Sequence, residues 1–204
     1  MNRRAMFPLI RAMFALTAPA LLIACSADPQ AAAAPEPPLA GASIGGEFTL
    51  VDKTGKTVRW SDFDGSWRTV YFGYTFCPDA CPLDMQVLMK GFQAFEKKHP
   101  DLAAKVQPLF ITIDPERDGP KEVGEFAAAF HPRLIGLTGT TQQVDSAAKA
   151  FAAYYQKGEE TAGGYLMDHA RVAYLMDPQG KPIAILPIDE SPKAVTAELE
   201  KWVR

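Results

Sequence analysis

Cys77 and Cys81 stand in the run Tyr74-Thr-Phe-Cys77-Pro-Asp-Ala-Cys81-Pro-Leu, and His169 stands in Leu166-Met-Asp-His169-Ala-Arg-Val. Two thiols four residues apart, one helical turn, present both sulfurs on one side of a turn. Two thiolates and an imidazole form a soft donor set that suits a copper ion: sulfur favours Cu(I), and imidazole accepts Cu(I) and Cu(II) alike. The same thiols also offer disulfide chemistry, in which one attacks a substrate disulfide and the other resolves it. Three intervening residues, rather than the two of thioredoxin-like oxidoreductases, widen the bite without excluding that chemistry. A bond between them would close only a tiny loop, so stabilisation of the fold is a poor reason for the pair.

His169 tips the balance toward a metal. A polar stretch at 157–164, ending in Gly163 and Gly164, precedes it and a strand follows at once, so a loop that swings the imidazole onto the thiols and releases it is expected. His99 and His131 each precede a proline at the end of a predicted helix, where a cation caps the dipole. Among the acidic neighbours, Asp79 lies between the cysteines and is expected either to cap the helix start or to tune the thiolates. Asp168 would orient the imidazole only on an irregular backbone, because neighbours on a strand face opposite ways. Asp114, in Asp114-Pro-Glu-Arg-Asp118, ends a strand near the site and reads as part of a docking surface or as a polar turn. Met85 and Met89 read as core, with thioether ligation the alternative.

The elements that must position these groups follow from periodicity. Residues 47–52 and 56–60 flank a turn and read as an opening hairpin. The apolar, β-branched runs 68–75 and 106–113 read as strands buried on both faces. Helical spacing marks 81–98, 120–130, 141–155 and 192–202, a short strand is expected at 134–137, and 170–176 with 181–186 forms a hairpin across Asp177-Pro-Gln-Gly180. That order predicts an α/β, thioredoxin-like sandwich with an added N-terminal β-hairpin, its thiols at a strand-to-helix junction where open α/β sheets place ligands.

The first 45 residues have a different composition. Arg3, Arg4 and Arg11 precede an uncharged apolar stretch from Ala12 to Ala24, shorter than the roughly 20 residues a bilayer core requires. It ends at Leu22-Ile-Ala-Cys25, which is similar to a bacterial lipobox, so residues 1–24 read as a lipoprotein signal peptide and Cys25 as the lipidated residue. Residues 25–45, rich in Ala and Pro, read as a tether, leaving 46–204 as one domain. Export places the chain in the oxidising periplasm, where blocked Cys25 leaves one even pair of thiols. Against 24 acidic residues, loss of the three leader arginines takes the formal charge from −3 to −6. No basic patch suggests nucleic acid.

Three ordered motifs, Tyr71-Phe-Gly-Tyr-Thr-Phe-Cys77-Pro-Asp-Ala-Cys81-Pro, Phe110-Ile-Thr-Ile-Asp-Pro-Glu-Arg-Asp118 and Asp168-His169, make the chain from about Gly46 to its end resemble the Sco/SenC proteins, copper chaperones for cytochrome c oxidase assembly. The resemblance implies that Cys77, Cys81 and His169 bind copper and deliver it to the CuA site on the oxidase's copper-bearing subunit. It implies a metallochaperone rather than an enzyme, a possible copper donor protein, and attachment at the periplasmic face, on the inner rather than the outer membrane. The alternative is a thiol–disulfide reductase that maintains the oxidase copper-site cysteines through Cys77 and Cys81. A copper-dependent redox sensor or a peroxide-detoxifying thiol protein is a third reading.

Overall fold

The computed structural model describes residues 35–160 and 164–204. The signal segment 1–24, Cys25, the first part of the tether and Gly163 lie outside the described residues. In chain order the elements are β1 (Thr49–Val51), β2 (Thr57–Arg59), a 3-10 turn (Trp60–Phe63), β3 (Trp67–Gly73), α1 (Ala80–Lys98), the short α2 (Pro100–Ala103), β4 (Val106–Thr112), α3 (Pro120–Phe130), β5 (Ile135–Leu137), α4 (Thr141–Ala150), β6 (Tyr155–Lys157), β7 (Met167–His169), β8 (Ala173–Met176), β9 (Pro182–Leu186) and α5 (Pro192–Trp202).

The central sheet has the order β5-β4-β3-β8-β9. β3, β4 and β5 run parallel, and β8 and β9 are antiparallel additions on the other side of β3. This is the mixed sheet of a thioredoxin-like fold, with β1 and β2 as the added N-terminal hairpin. Both parallel crossovers carry a helix, and their shared right-handed sense puts α1 and α3 on one face. There α5 packs along α1 so closely that a Cβ on Gly91 would lie 2.6 Å from Val195. On the opposite face Phe72 meets Phe151 at 5.5 Å, and Trp60 meets Phe151 at 5.2 Å, joining β3 to the hairpin and the end of α4. Alternation along β3 therefore turns Tyr71 and Gly73 toward α1. All seven residues of β3 are buried, Arg68 included, its guanidinium held by Asp64 at 2.9 Å and lying over Trp60.

The β8–β9 hairpin turns as its sequence directs: Asp177 Oδ1 accepts from the backbone of Gln179 and Lys181, and Gly180 takes a φ of +76°. Three features differ from expectation. The helix expected over 141–155 stops at Ala150, with Ala152 at a φ of +50°, the left-handed geometry that ends helices. Beyond it β6 and β7 pair antiparallel, Tyr155 opposite His169, as a ribbon separate from the central sheet. The strand expected over 170–176 accordingly begins only at Ala173. Alanine content favours helix, but local propensity yields to such tertiary pairing. Ahead of β1, Leu39 N–H donates to Ile183 O and Gly45 N–H to Ala150 O.

Candidate metal centre

β3 delivers the chain to the site and α1 carries it away. The thiol of Cys81, in the first turn of α1, is buried against the end of β3, where Gly73 makes room for it. A Cβ at Gly73 would stand 3.1 Å from Cys81 Sγ and 2.7 Å from the Tyr71 ring. Cys77 lies in the connecting loop, half-buried. The loop is anchored by Asp118, whose carboxylate accepts from Thr75 N–H at 2.8 Å, Thr75 Oγ1 at 2.6 Å and Thr112 Oγ1 at 2.6 Å. Burial raises the Asp118 pKa against the pull of those donors.

The helix start is capped by sulfur. Cys81 N–H donates to Cys77 Sγ at 3.3 Å, whereas Asp79, in the N-cap position, makes no capping bond with its side chain. Burial opposes ionisation of Cys77, but the N–H groups of Cys81 and Asp79 outweigh it and hold the thiol below its ordinary pKa. Cys81, deeper and beside that sulfur, is pushed up by burial to about 12.

His169 closes the group. Its Nε2 is 3.2 Å from Cys81 Sγ, and the three ligand atoms of Cys77, Cys81 and His169 all lie within 4.8 Å of one another. Its Nδ1 is 3.1 Å from the Ala170 carbonyl, which only accepts, so Nδ1 carries the proton and Nε2 turns its lone pair toward the sulfurs. Burial lowers the imidazole pKa, favouring the neutral form that binds metals. Tyr71 and Tyr74 stand nearly perpendicular to the ring, at centroid distances of 6.3 and 5.9 Å. Burial pushes the Tyr74 phenol up to about 12, so it stays protonated beside the Cys77 sulfur. Two soft sulfurs and one imidazole nitrogen, preassembled in this way, suit a thiophilic ion of low coordination number.

The acidic residues expected near the site have other tasks. Asp168 is exposed, and Asp114 binds Arg117 Nε at 2.5 Å and the Tyr165 hydroxyl at 2.8 Å. Met85 and Met89 are core. His99 and His131 pair with Glu200 and Glu96. Four residues the sequence reading passed over organise the surroundings. Arg117 lies over the Tyr165 ring at 3.7 Å, donates to Tyr165 O at 2.9 Å and approaches Phe76 at 5.1 Å, tying the cysteine loop to the segment that leads to His169. Asp84, one turn after Cys81, accepts from Tyr71 and from Arg171, two residues after His169. The available signal for Asp84 was a carboxylate within the apolar stripe of α1; nothing in the sequence pairs it with Arg171.

A family model described as SCO1/SenC matches residues 36–204. The chain is 44% identical over 145 residues to the mitochondrial protein SCO1 homolog 1 of Arabidopsis thaliana, covering 71% of this chain and 42% of that protein. It is 36% identical over 171 residues to a SCO2-like protein of Rickettsia felis, covering 79% and 82% respectively. The crystal structure of Arabidopsis thaliana ScoI with copper bound superposes with a TM-score of 0.72 at 37% identity, covering 78% of this chain and 96% of that one.

Proposed function

This chain belongs to the SCO1/SenC family, and from that premise we propose that it is a metallochaperone that binds copper through Cys77, Cys81 and His169 and passes it to the CuA site of a cytochrome c oxidase. The observation that carries the reading is the convergence of three soft donors within 4.8 Å, with the Nε2 lone pair of His169 turned inward. The copper-bound relative of the same fold supports it. The reduced thiols would hold Cu(I), and the imidazole would retain the ion as Cu(II). Delivery would proceed by ligand exchange with the oxidase's copper-bearing subunit, after loading by a donor protein. Phe76, Leu83 and Leu166, 53%, 55% and 58% exposed and each within three residues of a ligand, supply apolar surface for such docking. A lipid on Cys25 would keep the domain at the periplasmic face of the membrane.

A second reading is favoured by the inequality of the thiols. Cys77, half-exposed and with a lowered pKa, has the character of an attacking thiolate, and buried Cys81 that of a resolving thiol. Cys77 would open a disulfide of the oxidase copper site, Cys81 would release it, and the oxidase would leave with two thiols while Cys77 and Cys81 become a disulfide that a periplasmic dithiol donor must reduce again. Copper titration of the reduced chain separates the two. Cys77→Ser and His169→Ala are expected to lose affinity, and wild-type stoichiometry and affinity in both defeat the copper reading. His169→Ala with full reductase activity favours the second; an oxidase defect in a His169→Ala strain counts against it.

A further inference from the structure

His169 ends a ribbon that shares no ladder with the central sheet, and residues 170–172, between it and β8, belong to neither. Among the described residues, backbone pairing therefore fixes the histidine only to the ribbon's other strand. Side chains make the connection to the cysteine helix. Arg171 grips Asp84 with a two-pronged fork, Nε to Oδ2 at 2.9 Å and Nη2 to Oδ1. Asp84 lies one turn beyond Cys81 on the buried side of α1 and is 1% exposed. Its Oδ2 also accepts the Tyr71 hydroxyl at 3.0 Å, and the Tyr71 ring is the perpendicular neighbour of the imidazole. From one carboxylate, then, run a link along the chain through Arg171, a link through the Tyr71 ring, and a helical turn to the sulfur that Nε2 faces.

An ion pair with one partner buried and the other half-exposed adds little net stability compared with apolar side chains of equal volume, and the best-attested use of such a pair is to fix register. The geometry points to Asp84 and Arg171 as positioning residues whose ion pair sets the histidine segment against the cysteine helix and holds Nε2 over Cys81. The pair acts through His169 and does not itself bind the metal. Its bearing on copper rests on the reading of Cys77, Cys81 and His169 as the ligands. The carboxylate next to the histidine, Asp168, is not the orienting group, since it is exposed and the Nδ1 proton goes to Ala170 O.

The test uses the full chain carrying Asp84→Asn together with Arg171→Gln, which removes both charges without stranding one of them, beside His169→Ala and the triple variant. The paired variant is expected to bind Cu(II) about 10- to 100-fold more weakly, the usual cost of losing a partner that orients a ligand, and the triple variant is expected to bind no more weakly than His169→Ala alone. In the metal-free protein, the His169 ring nitrogens are expected to report one Nδ1-protonated tautomer by NMR in the wild type and an average of both tautomers in the paired variant. Asp84→Asn alone, which leaves unpaired only the half-exposed charge of Arg171, gives the same ring readout if the paired variant does not fold. Unchanged ring signals with unchanged Cu(II) affinity overturn the assignment and leave the three ligands standing. A loss that adds to that of His169→Ala also overturns it, because the pair would then act through folding and not through the histidine. A wild-type protein that binds no copper defeats the ligand reading instead, and the ring signals then decide the positioning role by themselves, averaging sustaining it and constancy overturning it.

Discussion

Cys77 and Cys81 hang from the central sheet, whereas His169 hangs from a ribbon beside it. The cysteine side inherits the rigidity of β3, which is buried along all seven residues and laddered to β4 and β8, and its loop is anchored by buried Asp118. The histidine side has three ladder pairs and a set of side-chain links, among them the Lys157–Glu116 pair, that water reaches. Segments with few buried contacts and solvent-accessible hydrogen bonds open at lower free energy than core strands. A site proposed to hold an ion and release it would thus combine a rigid pair of sulfurs with a nitrogen whose support is cheaper to break.

The largest expected effect comes from breaking the rigid side. Cys81→Ser is expected to weaken Cu(I) binding about 60- to 700-fold, because four-ligand structural zinc sites bind with about 10–16 kcal/mol, roughly 2.5–4 per ligand, and 1.4 kcal/mol is tenfold. Competition with a Cu(I) chelator measures it, and an equal Cu(I) loss in His169→Ala erases the distinction between the two sides. Next comes the difference within the rigid side. With Cys77 below its ordinary value of 9.0 and Cys81 at about 12, Cys77 in the reduced chain should be alkylated at least about 30-fold faster at neutral pH, after allowance for the lower nucleophilicity of the more acidic thiol. The sign is checkable as well: a lowered pKa makes thiolate available earlier, so the Cys77 rate rises with pH and levels off below the pH of a free thiol. Peptide mass spectrometry after timed labelling with iodoacetamide reads both thiols at once. The smallest effect tests the ribbon. Arg117→Ala removes the cation over Tyr165 and the partner of Asp114, and amide exchange in β6 and β7 is expected to quicken about tenfold with β3 unchanged. Equal acceleration in β3 means that the ribbon does not open independently.

The same division governs what could be read from the sequence. The thiols, their strand and their helix lie within one local stretch, where an apolar run followed by helical spacing states both the elements and the junction between them. His169 was recognisable as a residue, but its setting was not. β6 and β7 are three residues each, too short for a periodic signal, and an alanine-rich helix pattern runs into the first of them. Asp84 and Arg171 are 87 positions apart, each an ordinary polar residue in its own segment, and only the crossing of the histidine segment over α1 gives them a shared meaning. Asp79 shows the reverse: its position announced a helix cap, and the sulfur of Cys77 took the donor that the carboxylate would have used.

A chain that kept both cysteines and the histidine but carried alanine in place of Gly73 would have to displace the Tyr71 ring and push the deeper sulfur outward. The distance between the thiols would change with Cys77, Cys81 and His169 all retained. Surveys of genomes that score such proteins by the two cysteines and the histidine alone would count that chain as equivalent. The glycine four positions ahead of the first cysteine belongs in the search pattern, as the empty volume into which the second one fits.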